Sequence, residues 1–394
     1  MRRLDLRKAQ AARLNTIRDI NRQIVLNYVR EREPISRAEI ARETDLQRST
    51  ISAIVEDLKT EGLVEEVGEG ESTGGRRPTM LKLRAAGPIA LGVSLTPTCT
   101  TIATSDLAGR VIDQEEFPTE TDKTLTHVIS VIRELASRHK GSIEGIGMSL
   151  PGLVDPSTGN ALYIPYFLWR DLPVSEMISK AVGLPVVIDN DANAVALAEL
   201  WFGRPEVNDA RDFILVLVAE GVGTGIIFDG QVYRGQRGAA GEFGHMVIGR
   251  GAPVPCSCGS DDCWEAFSSE GAAIARYLKL SGAGENSISF IDLVDRALGG
   301  EENAKAALVE TARHLGVGIS NLIIGFSPEA VVVGGEIARA WDLIEGALTE
   351  TIANSVRRGL PSARILPSTL GENPTLRGAL SLVLASKFAA AFAA

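Results

Sequence analysis

The stretch Gly238–Glu265, GAAGEFGHMVIGRGAPVPCSCGSDDCWE, places three of the four cysteines of this 394-residue chain within eight residues of one another. A histidine lies eleven residues before the first of them, and the full set is His245, Cys256, Cys258 and Cys263. Three cysteines and one histidine suit the tetrahedral geometry and soft ligands that zinc prefers, and they leave no open catalytic position. We therefore predict a structural zinc ion. The alternative is three reduced cysteines in a loop, although free surface cysteines are usually avoided.

Two acidic residues flank this set of metal ligands. Glu242 precedes His245 by three residues, and Glu265 follows Cys263 by two. A loop tied to a metal would hold both carboxylates and the imidazole edge at fixed spacing, which suits hydrogen bonding to the hydroxyl groups of a sugar. The alternative is that both acids are solvated surface residues.

Two runs in the stretch, AGEFGH from Ala240 to His245 and CSCGSDDCWE from Cys256 to Glu265, resemble the signature of the ROK family of sugar kinases and sugar-responsive repressors. The resemblance covers nearly the whole chain. It implies an α/β fold in which two ribonuclease-H-like lobes, of the actin and hexokinase type, enclose a ligand cleft. In the regulator branch an N-terminal winged helix-turn-helix precedes this body. We expect a homo-oligomer, either a dimer or a dimer of dimers.

The composition indicates a globular protein of two or three domains, since 394 residues with 45% hydrophobic content can bury large cores. The chain shows no N-terminal apolar segment, and its most apolar run, Phe213–Phe228, is interrupted by Glu220 and several glycines. Neither secretion nor membrane insertion is therefore expected. Cysteines in metal spacing agree with a reducing compartment, so we predict a cytoplasmic protein.

The charge is unevenly distributed along the chain. The net charge is −10, yet Met1–Ala85 carries 17 Lys and Arg against 14 Asp and Glu, which leaves 23 against 36 for the remainder. A basic front end on an acidic body indicates that only the front end meets a polyanion.

Residues 1–85 show the pattern of a winged helix-turn-helix. An apolar stripe predicts a first helix over Asn15–Arg30, and Ser36 with Glu39 forms a capping box that begins a second helix. The third helix has one apolar face and leaves four residues exposed at its N-terminal end, namely Gln47, Arg48, Ser49 and Thr50. In a helix-turn-helix these positions meet base edges in the major groove.

A wing follows the third helix. The segment LVEEVGEGESTGGRRPTMLKLR, residues 63–84, alternates apolar and polar positions on both sides of a glycine-rich tip, which predicts a β-hairpin. Arg76 and Arg77 at the tip suit a narrow, electronegative minor groove. We therefore predict a double-stranded DNA operator with an inverted repeat as the partner. The alternative is a helical domain that binds another protein.

Gly87 and Pro88 mark the start of the body. We predict a first lobe over 86–190, completed by 375–394, and a second lobe over 191–374 that carries the zinc site and the dimer interface. In the first lobe we expect three strands with a hairpin turn at Asp106–Gly109, then a helix over Leu125–His139 and a strand over Ile143–Leu150. The strands expected in the second lobe are Phe213–Val218, Thr224–Phe228, Gln231–Tyr233 and Val331–Val333.

A candidate ligand site follows the apolar strand Val186–Ile188, because strand ends are where α/β proteins hold ligands. The residues that follow are Asp189, Asn190 and Asp191. The resemblance implies that Asp191 matches the kinase aspartate that takes a proton from the sugar, that Asn190 bonds a neighbouring hydroxyl, and that Gly152 lies under the sugar. A helix N-cap and a plain turn are the alternatives. The predicted sugar-binding set is Gly152, Asn190, Asp191, Glu242, His245 and Glu265.

Aromatic residues crowd the segment before Trp169, where Tyr163, Tyr166 and Phe167 lie. Their side chains either stack on a pyranose face or plug the interface between the lobes.

The turn after the first strand of the body bears on whether the protein is an enzyme. The kinases of the family carry an Asp, two glycines, a Thr and a Lys there, whereas this chain has SLTPTC, residues 94–99. Ser94 cannot replace a carboxylate near magnesium, and Pro97 lacks the N–H that would bind a phosphate. GVGTG, residues 221–225, keeps a second glycine turn, but this is a weak signal. We therefore predict that the protein is not an enzyme.

The leading hypothesis is a sugar-responsive, DNA-binding transcriptional repressor of genes for carbohydrate uptake or metabolism, with a small sugar as effector. One alternative is an ATP-dependent sugar kinase with a DNA-binding extension. Another is a body that docks a transport protein and binds no sugar.

Overall fold

The computed structural model describes residues 14–71, 77–84, 90–121, 123–139, 143–208, 210–282, 288–356 and 359–388. Within these ranges the chain forms an N-terminal unit and a two-lobed α/β body, which confirms the predicted fold class. The ends of its helices and strands differ from the predicted ones by one or two residues. No described helix is both long enough and apolar enough to cross a membrane.

The N-terminal unit is a winged helix-turn-helix. Its elements are α1 (Leu14–Arg32), β1 (Ile35–Ser36), α2 (Arg37–Thr44), α3 (Arg48–Thr60), β2 (Val64–Glu69) and β3 (Thr79–Leu83). The three strands pair in the order β1-β3-β2, so β2 and β3 form the predicted antiparallel wing. Ser36 caps α2 through the predicted capping box with Glu39. Arg76 at the wing tip lies outside the described residues, while Arg77 is exposed.

The first lobe is built on a five-stranded sheet with the order β11-β7-β4-β5-β6. The elements of this part of the chain are β4 (Ala90–Leu95), β5 (Cys99–Ser105), β6 (Val111–Pro118), α4 (Thr124–Arg138), β7 (Gly145–Leu150), β8 (Leu153–Asp155), β9 (Asn160–Ile164), β10 (Trp169–Leu172), α5 (Val174–Val182) and β11 (Val186–Asn190). Strands β4 to β6 are antiparallel and β7 and β11 are parallel to β4 and to each other. Asp189 and Asn190 belong to β11 itself, which corrects the expectation that this strand ends at Ile188.

The second lobe repeats the plan with the sheet order β14-β13-β12-β15-β16. Its elements are α6 (Asp191–Phe202), α7 (Pro205–Asn208), β12 (Phe213–Val218), β13 (Val222–Phe228), β14 (Gln231–Val232), α8 (Trp264–Ser268), α9 (Glu270–Ser281), α10 (Phe290–Leu298), α11 (Glu302–Phe326), β15 (Ala330–Gly334), α12 (Trp341–Ser355) and β16 (Arg364–Pro367). Short 3-10 helices lie at Pro165–Phe167, Gln236–Gly238, Glu242–His245 and Glu336–Ala340.

The last helix, α13 (Pro374–Phe388), returns to the first lobe and packs on strands β4 and β7 and on helix α6. The contact with β7 is between backbones, because a Cβ atom added at Gly147 would lie 1.9 Å from the carbonyl oxygen of Ala379. A strand residue without a side chain thus lets the helix approach the sheet closely.

Candidate functional site

A cleft of about 580 Å³ lies between the two lobes. The structure brings all six residues of the predicted sugar-binding set to its wall, and these are Gly152, Asn190, Asp191, Glu242, His245 and Glu265. They come from three separate places in the chain, namely the turn after β7, the junction of β11 with α6, and the segment that runs from the end of β14 into the first turn of α8.

The junction of β11 with α6 places Asn190 and Asp191 in the wall of the cleft, and the side chain of Asn190 also bonds the Gly152 turn. Asn190 is the N-cap of α6, since its side-chain oxygen accepts a hydrogen bond from the backbone N–H of Asn193 at 3.2 Å. Its amide nitrogen donates to the carbonyl oxygen of Gly152 at 3.1 Å. The N-cap alternative therefore holds for Asn190, which also ties the Gly152 turn to α6. Gly152 has φ +82°, and a Cβ atom there would lie 2.7 Å from the carbonyl oxygen of Tyr163.

Asp191 and Asp189 face different surroundings. Asp189 is buried and pairs with Arg234, whose Nη2 lies 2.7 Å from the carboxylate. Asp191 lines the cleft, and its Oδ1 accepts a hydrogen bond from the backbone N–H of Ala192 at 2.7 Å. Burial, together with the nearby carboxylates of Glu220 and Glu242, raises the pKa of Asp191 to about 7. The Asp191 carboxyl group can therefore either donate or accept a hydrogen bond near neutral pH.

The four predicted zinc ligands converge on one point. The ligand atoms of His245, Cys256, Cys258 and Cys263 all lie within 4.8 Å of one another. The sulfurs of Cys258 and Cys263 are 3.5 Å apart, and His245 Nδ1 lies 3.3 Å from the sulfur of Cys256. Tetrahedral zinc with Zn–S bonds of about 2.3 Å holds its sulfurs about 3.8 Å apart. The four donors are thus close enough to share one such ion.

Local backbone pairing explains how residues 18 positions apart in the chain meet at this cluster. Val247 and Cys263 form an isolated antiparallel bridge, and the N–H of Trp264 donates to the carbonyl of Met246 at 2.8 Å. The indole of Trp264 is fully buried beside Gly318 of α11, where a Cβ atom would lie 2.0 Å from the ring. The indole N–H also donates to the carbonyl of His314 at 3.1 Å. Trp264 therefore anchors the segment that carries His245 and the three cysteines to the core of the second lobe.

The same loop presents its acids to the cleft. His245 directs Nδ1 towards the cysteines and Nε2 towards Glu242, whose carboxylate lies 3.6 Å away. Glu265 accepts hydrogen bonds from the backbone N–H of Val222 at 3.2 Å and from the hydroxyl of Ser257 at 3.2 Å. These bonds fix the orientation of the Glu265 carboxylate. Glu265 is therefore not a freely solvated surface acid.

Of the three aromatic residues before Trp169, two line the cleft and one does not. Tyr163 and Tyr166 border the cleft. Phe167 is buried in the core of the first lobe. The two tyrosines are placed to contact a ring bound there.

Three further carboxylates line the cleft, namely Glu220, Glu270 and Glu336. Burial, with the charges of Glu220 and Glu336, raises the pKa of Glu270 to about 8. The sequence carries no local signal for this group, because the three residues lie far apart in the chain and only the fold places them together. Among the described residues that line the cleft, none is a lysine or an arginine.

The turn after β4 has its own bonding pattern. The Ser94 hydroxyl lies 2.7 Å from that of Thr375 on α13, so it bonds within the first lobe. The Thr98 hydroxyl donates to Glu220 across the cleft at 3.1 Å, and Pro97 lines the cleft. In the second glycine turn, a Cβ atom at Gly225 would lie 2.3 Å from the carbonyl of Ala192. This glycine is thus explained by close packing of β13 on α6.

The predicted DNA-contacting residues lie at one end of α3. Gln47 is the N-cap residue but makes no capping bond with its side chain, and Gln47, Arg48 and Ser49 are exposed while Thr50 is half-buried. The opposite face of α3 is buried through Ile51, Ile54, Val55 and Leu58, as predicted.

Two family models match the chain. One, described as the ROK family, matches residues 90–386, and the other, described as the MarR family, matches residues 24–77. Over 376 residues the chain is 31% identical to the xylose repressor of Bacillus subtilis strain 168, covering 93% of this chain and 96% of that protein. It is 30% identical over 375 residues to the DNA-binding transcriptional dual regulator NagC of Escherichia coli strain K12, covering 91% of each.

Solved structures show the same relationship. A ROK family transcriptional regulator, described as a homolog of the E. coli MLC protein, superposes with a TM-score of 0.76 at 27% identity and covers 95% of this chain and 98% of its own. A ROK family glucokinase from Streptomyces griseus, in complex with glucose and AMPPNP, gives a TM-score of 0.67 at 28% identity. It covers 75% of this chain and 98% of its own.

Replacing Asp191 should change how stability depends on pH. The unfolded chain loses this proton near pH 3.9, whereas the folded protein keeps it to about pH 7. The free energy of unfolding therefore falls as the pH rises through this window. Over pH 5 to pH 8 this loss is about 2–3 kcal/mol. Asp191→Asn removes the titration, so its melting temperature should gain several degrees on that of the wild type over this range, since about 1 kcal/mol shifts a melting temperature by about 2–4 °C.

Melting curves by calorimetry at both pH values measure this gain, with Glu372→Gln at an exposed site as the control. An equal difference between variant and wild type at the two pH values would show that Asp191 titrates normally.

Proposed function

Because the chain belongs to the ROK family, we propose that it is a sugar-responsive, DNA-binding transcriptional repressor rather than a sugar kinase. The observation that carries the proposal is the joining of a winged helix-turn-helix to a cleft lined by oriented hydrogen-bonding groups. The solved regulator covers 95% of this chain, whereas the solved glucokinase covers 75%. The named repressors also match it over nearly its full length.

A neutral sugar is the ligand that the cleft suits best. Sugar hydroxyls are both donors and acceptors, so they can satisfy the Asp191, Glu242 and Glu265 carboxylates together with the Nε2 edge of His245. The cleft wall has six carboxyl groups and, among the described residues, no lysine or arginine, so no cationic side chain there would bind the phosphate of a phosphorylated sugar. The target genes would then be those for uptake or metabolism of that sugar.

The zinc ion that we propose is structural. His245, Cys256, Cys258 and Cys263 would occupy its four coordination positions and leave none for a substrate. Its role would be to hold the loop that presents Glu242, the Nε2 edge of His245 and Glu265 to the sugar.

Three features oppose kinase activity. The Ser94 hydroxyl is bonded to Thr375, Pro97 offers no N–H, and the described lining of the cleft has six carboxylates and no lysine or arginine. A nucleoside triphosphate needs positive charge or backbone N–H groups around its phosphates. The second candidate function, a sugar kinase with a DNA-binding extension, rests on the likeness to solved ROK kinases such as the glucokinase.

The cleft should bind a neutral sugar, and Glu242→Ala should weaken binding by about 1–3 kcal/mol, the usual cost of a lost charge-assisted hydrogen bond. Calorimetric titration against D-xylose, D-glucose, N-acetyl-D-glucosamine and their phosphorylated forms measures this, with Glu350→Ala at an exposed site as the control. Undiminished affinity in both Glu242→Ala and Asp191→Ala would move the sugar site elsewhere. No binding by any sugar would favour a body that docks another protein.

Zinc content should be one ion per chain, as measured by elemental analysis of protein purified without added metal. Cys258→Ser should lower that content and weaken sugar binding, because the loop that holds Glu242 and Glu265 loses its anchor. Cys99→Ser is the matched control, since Cys99 lies outside the cluster. The structural-zinc proposal fails if Cys258→Ser leaves both the metal content and the sugar affinity unchanged.

No sugar-dependent ATP turnover should be detectable in a coupled assay with magnesium. Kinases typically turn over at about 1–100 per second, so even a small fraction of that rate is measurable. Turnover in this range with any sugar of the panel would replace the repressor by the kinase alternative.

DNA binding should require the N-terminal unit, and a twofold dimer should select an inverted repeat with half-sites one or two helical turns apart. Arg48→Ala should cost about 1–3 kcal/mol and relax the preference at one base pair per half-site. Replacing Arg76 and Arg77 together should instead lower the affinity for all sequences and reduce its salt dependence.

Gel shifts on randomised duplexes across a salt series measure these effects, with Arg313→Ala in the body as the control. A protein lacking residues 1–85 that still binds DNA would refute the assignment of this unit.

A further inference from the structure

Two helices run from the ligand cleft to the winged helix. Helix α6 begins at Asp191 in the cleft wall and ends at Phe202, next to Trp201. Helix α13 begins at Pro374, also in the cleft wall, and ends at Phe388. Its 15 residues span about 22 Å at 1.5 Å per residue. Both helices therefore have one end at the proposed sugar site.

The two helices are packed so closely that they should move as one body. A Cβ atom added at Gly378 of α13 would lie 2.7 Å from the carbonyl carbon of Ala194 in α6. No flexible side chain separates the backbones at that point, so neither helix can slide without displacing the other. We call α6 and α13 the helix pair.

The far end of the helix pair forms a seat for one residue of the winged helix. The guanidinium carbon of Arg30, on α1, lies 4.9 Å from the ring centroid of Trp201 and 4.8 Å from that of Phe388. The two rings are themselves 6.2 Å apart. Arg30 is largely buried there, its side chain being 11% exposed. Asn27, one turn earlier on α1, donates a hydrogen bond to the carbonyl oxygen of Phe388 at 2.9 Å.

Helix α1 in turn is part of the core that holds α3. Val25, Leu26 and Val29 of α1 are fully buried in one cluster with the apolar face of α3. Arg18 of α1 also pairs with Asp57 of α3 at 2.6 Å. A displacement of the Arg30 seat would therefore be transmitted to the helix whose N-terminal end faces DNA in the proposed function.

We propose that the helix pair couples sugar binding to DNA affinity through the seat formed by Trp201 and Phe388 around Arg30. The proposal rests on the proposed function and adds its means of regulation. A sugar that bonds Asp191 favours one position of the helix pair, and the seat passes this preference to α1. The coupling should be reciprocal, so that operator DNA changes sugar affinity by the same factor as sugar changes DNA affinity.

The test measures the ratio of operator dissociation constants with and without saturating sugar, for the full-length protein and its variants. The operator is an inverted-repeat duplex selected by the wild type, and the sugars are D-xylose, D-glucose and N-acetyl-D-glucosamine. The wild type should show a ratio of tenfold or more, within the range typical of coupled sites. Arg30→Met should bring the ratio close to one, while its sugar affinity stays within about threefold of the wild-type value.

Two further variants make the result specific. Arg32→Met removes the same charge from an exposed site on α1 and should keep the wild-type ratio. Arg30→Lys keeps the charge but lacks the planar group that packs on the two rings, so it should lower the ratio in part. This variant provides the test if Arg30→Met folds poorly. Circular dichroism confirms that each variant is folded.

The outcomes separate the two proposals. If the wild-type ratio is large and both Arg30 variants keep it, the coupling proposal is wrong and the proposed function stands. If the wild-type ratio is one for every sugar although the protein binds the operator, the sugar-responsive function itself fails and the coupling fails with it.

Discussion

The backbone contact between α13 and the first-lobe sheet is the constraint on which the rest of the body depends. The carbonyl oxygen of Ala379 occupies the space that a side chain at Gly147 would take, so the last helix of the chain lies directly on a central strand. This position brings Pro374 to the cleft and Phe388 to the winged helix at the same time. A close-packed interior transmits displacements, because it has no empty space into which side chains could move.

The loop that carries His245 and the three cysteines is the second organising element, and its position depends on packing against the second lobe. Trp264 packs against α11 at Gly318, directly after Cys263 and before Glu265. One buried indole thus fixes a proposed zinc ligand and a cleft carboxylate together. His245 has the same double position, with one ring nitrogen towards the cysteines and the other towards Glu242. A zinc ion bound by this cluster would restrict the motion of Glu242 and Glu265 without contacting the sugar itself.

The chemistry of the cleft lining bears on activity more directly than the fold does. The fold is shared with a glucokinase, yet a fold does not by itself imply an activity. Among the described residues, the cleft wall has six carboxyl groups and no lysine or arginine, and burial with two neighbouring carboxylates raises the pKa of Glu270 to about 8. Carboxyl groups, protonated or ionised, can hydrogen-bond sugar hydroxyls, whereas this lining has no cationic side chain to neutralise a phosphate.

The sequence alone determined the features that depend on neighbours in the chain. Cysteine spacing predicted that His245 and the three cysteines lie together. The capping box at Ser36 and the apolar face of α3 predicted the winged helix, and the run after Val186 predicted polar groups at a strand end. Local periodicity and capping are visible in sequence because they act over a few residues. Only the tertiary structure decided which of the polar groups face the cleft, since Asp189 pairs with Arg234 while Asp191 lines the wall. It also brought together the carboxylates of Glu220, Glu270 and Glu336 and set Arg30 against the rings of Trp201 and Phe388. These residues are separated by tens to hundreds of positions, and their meeting depends on how helices and sheets pack, for which a single sequence carries no local signal.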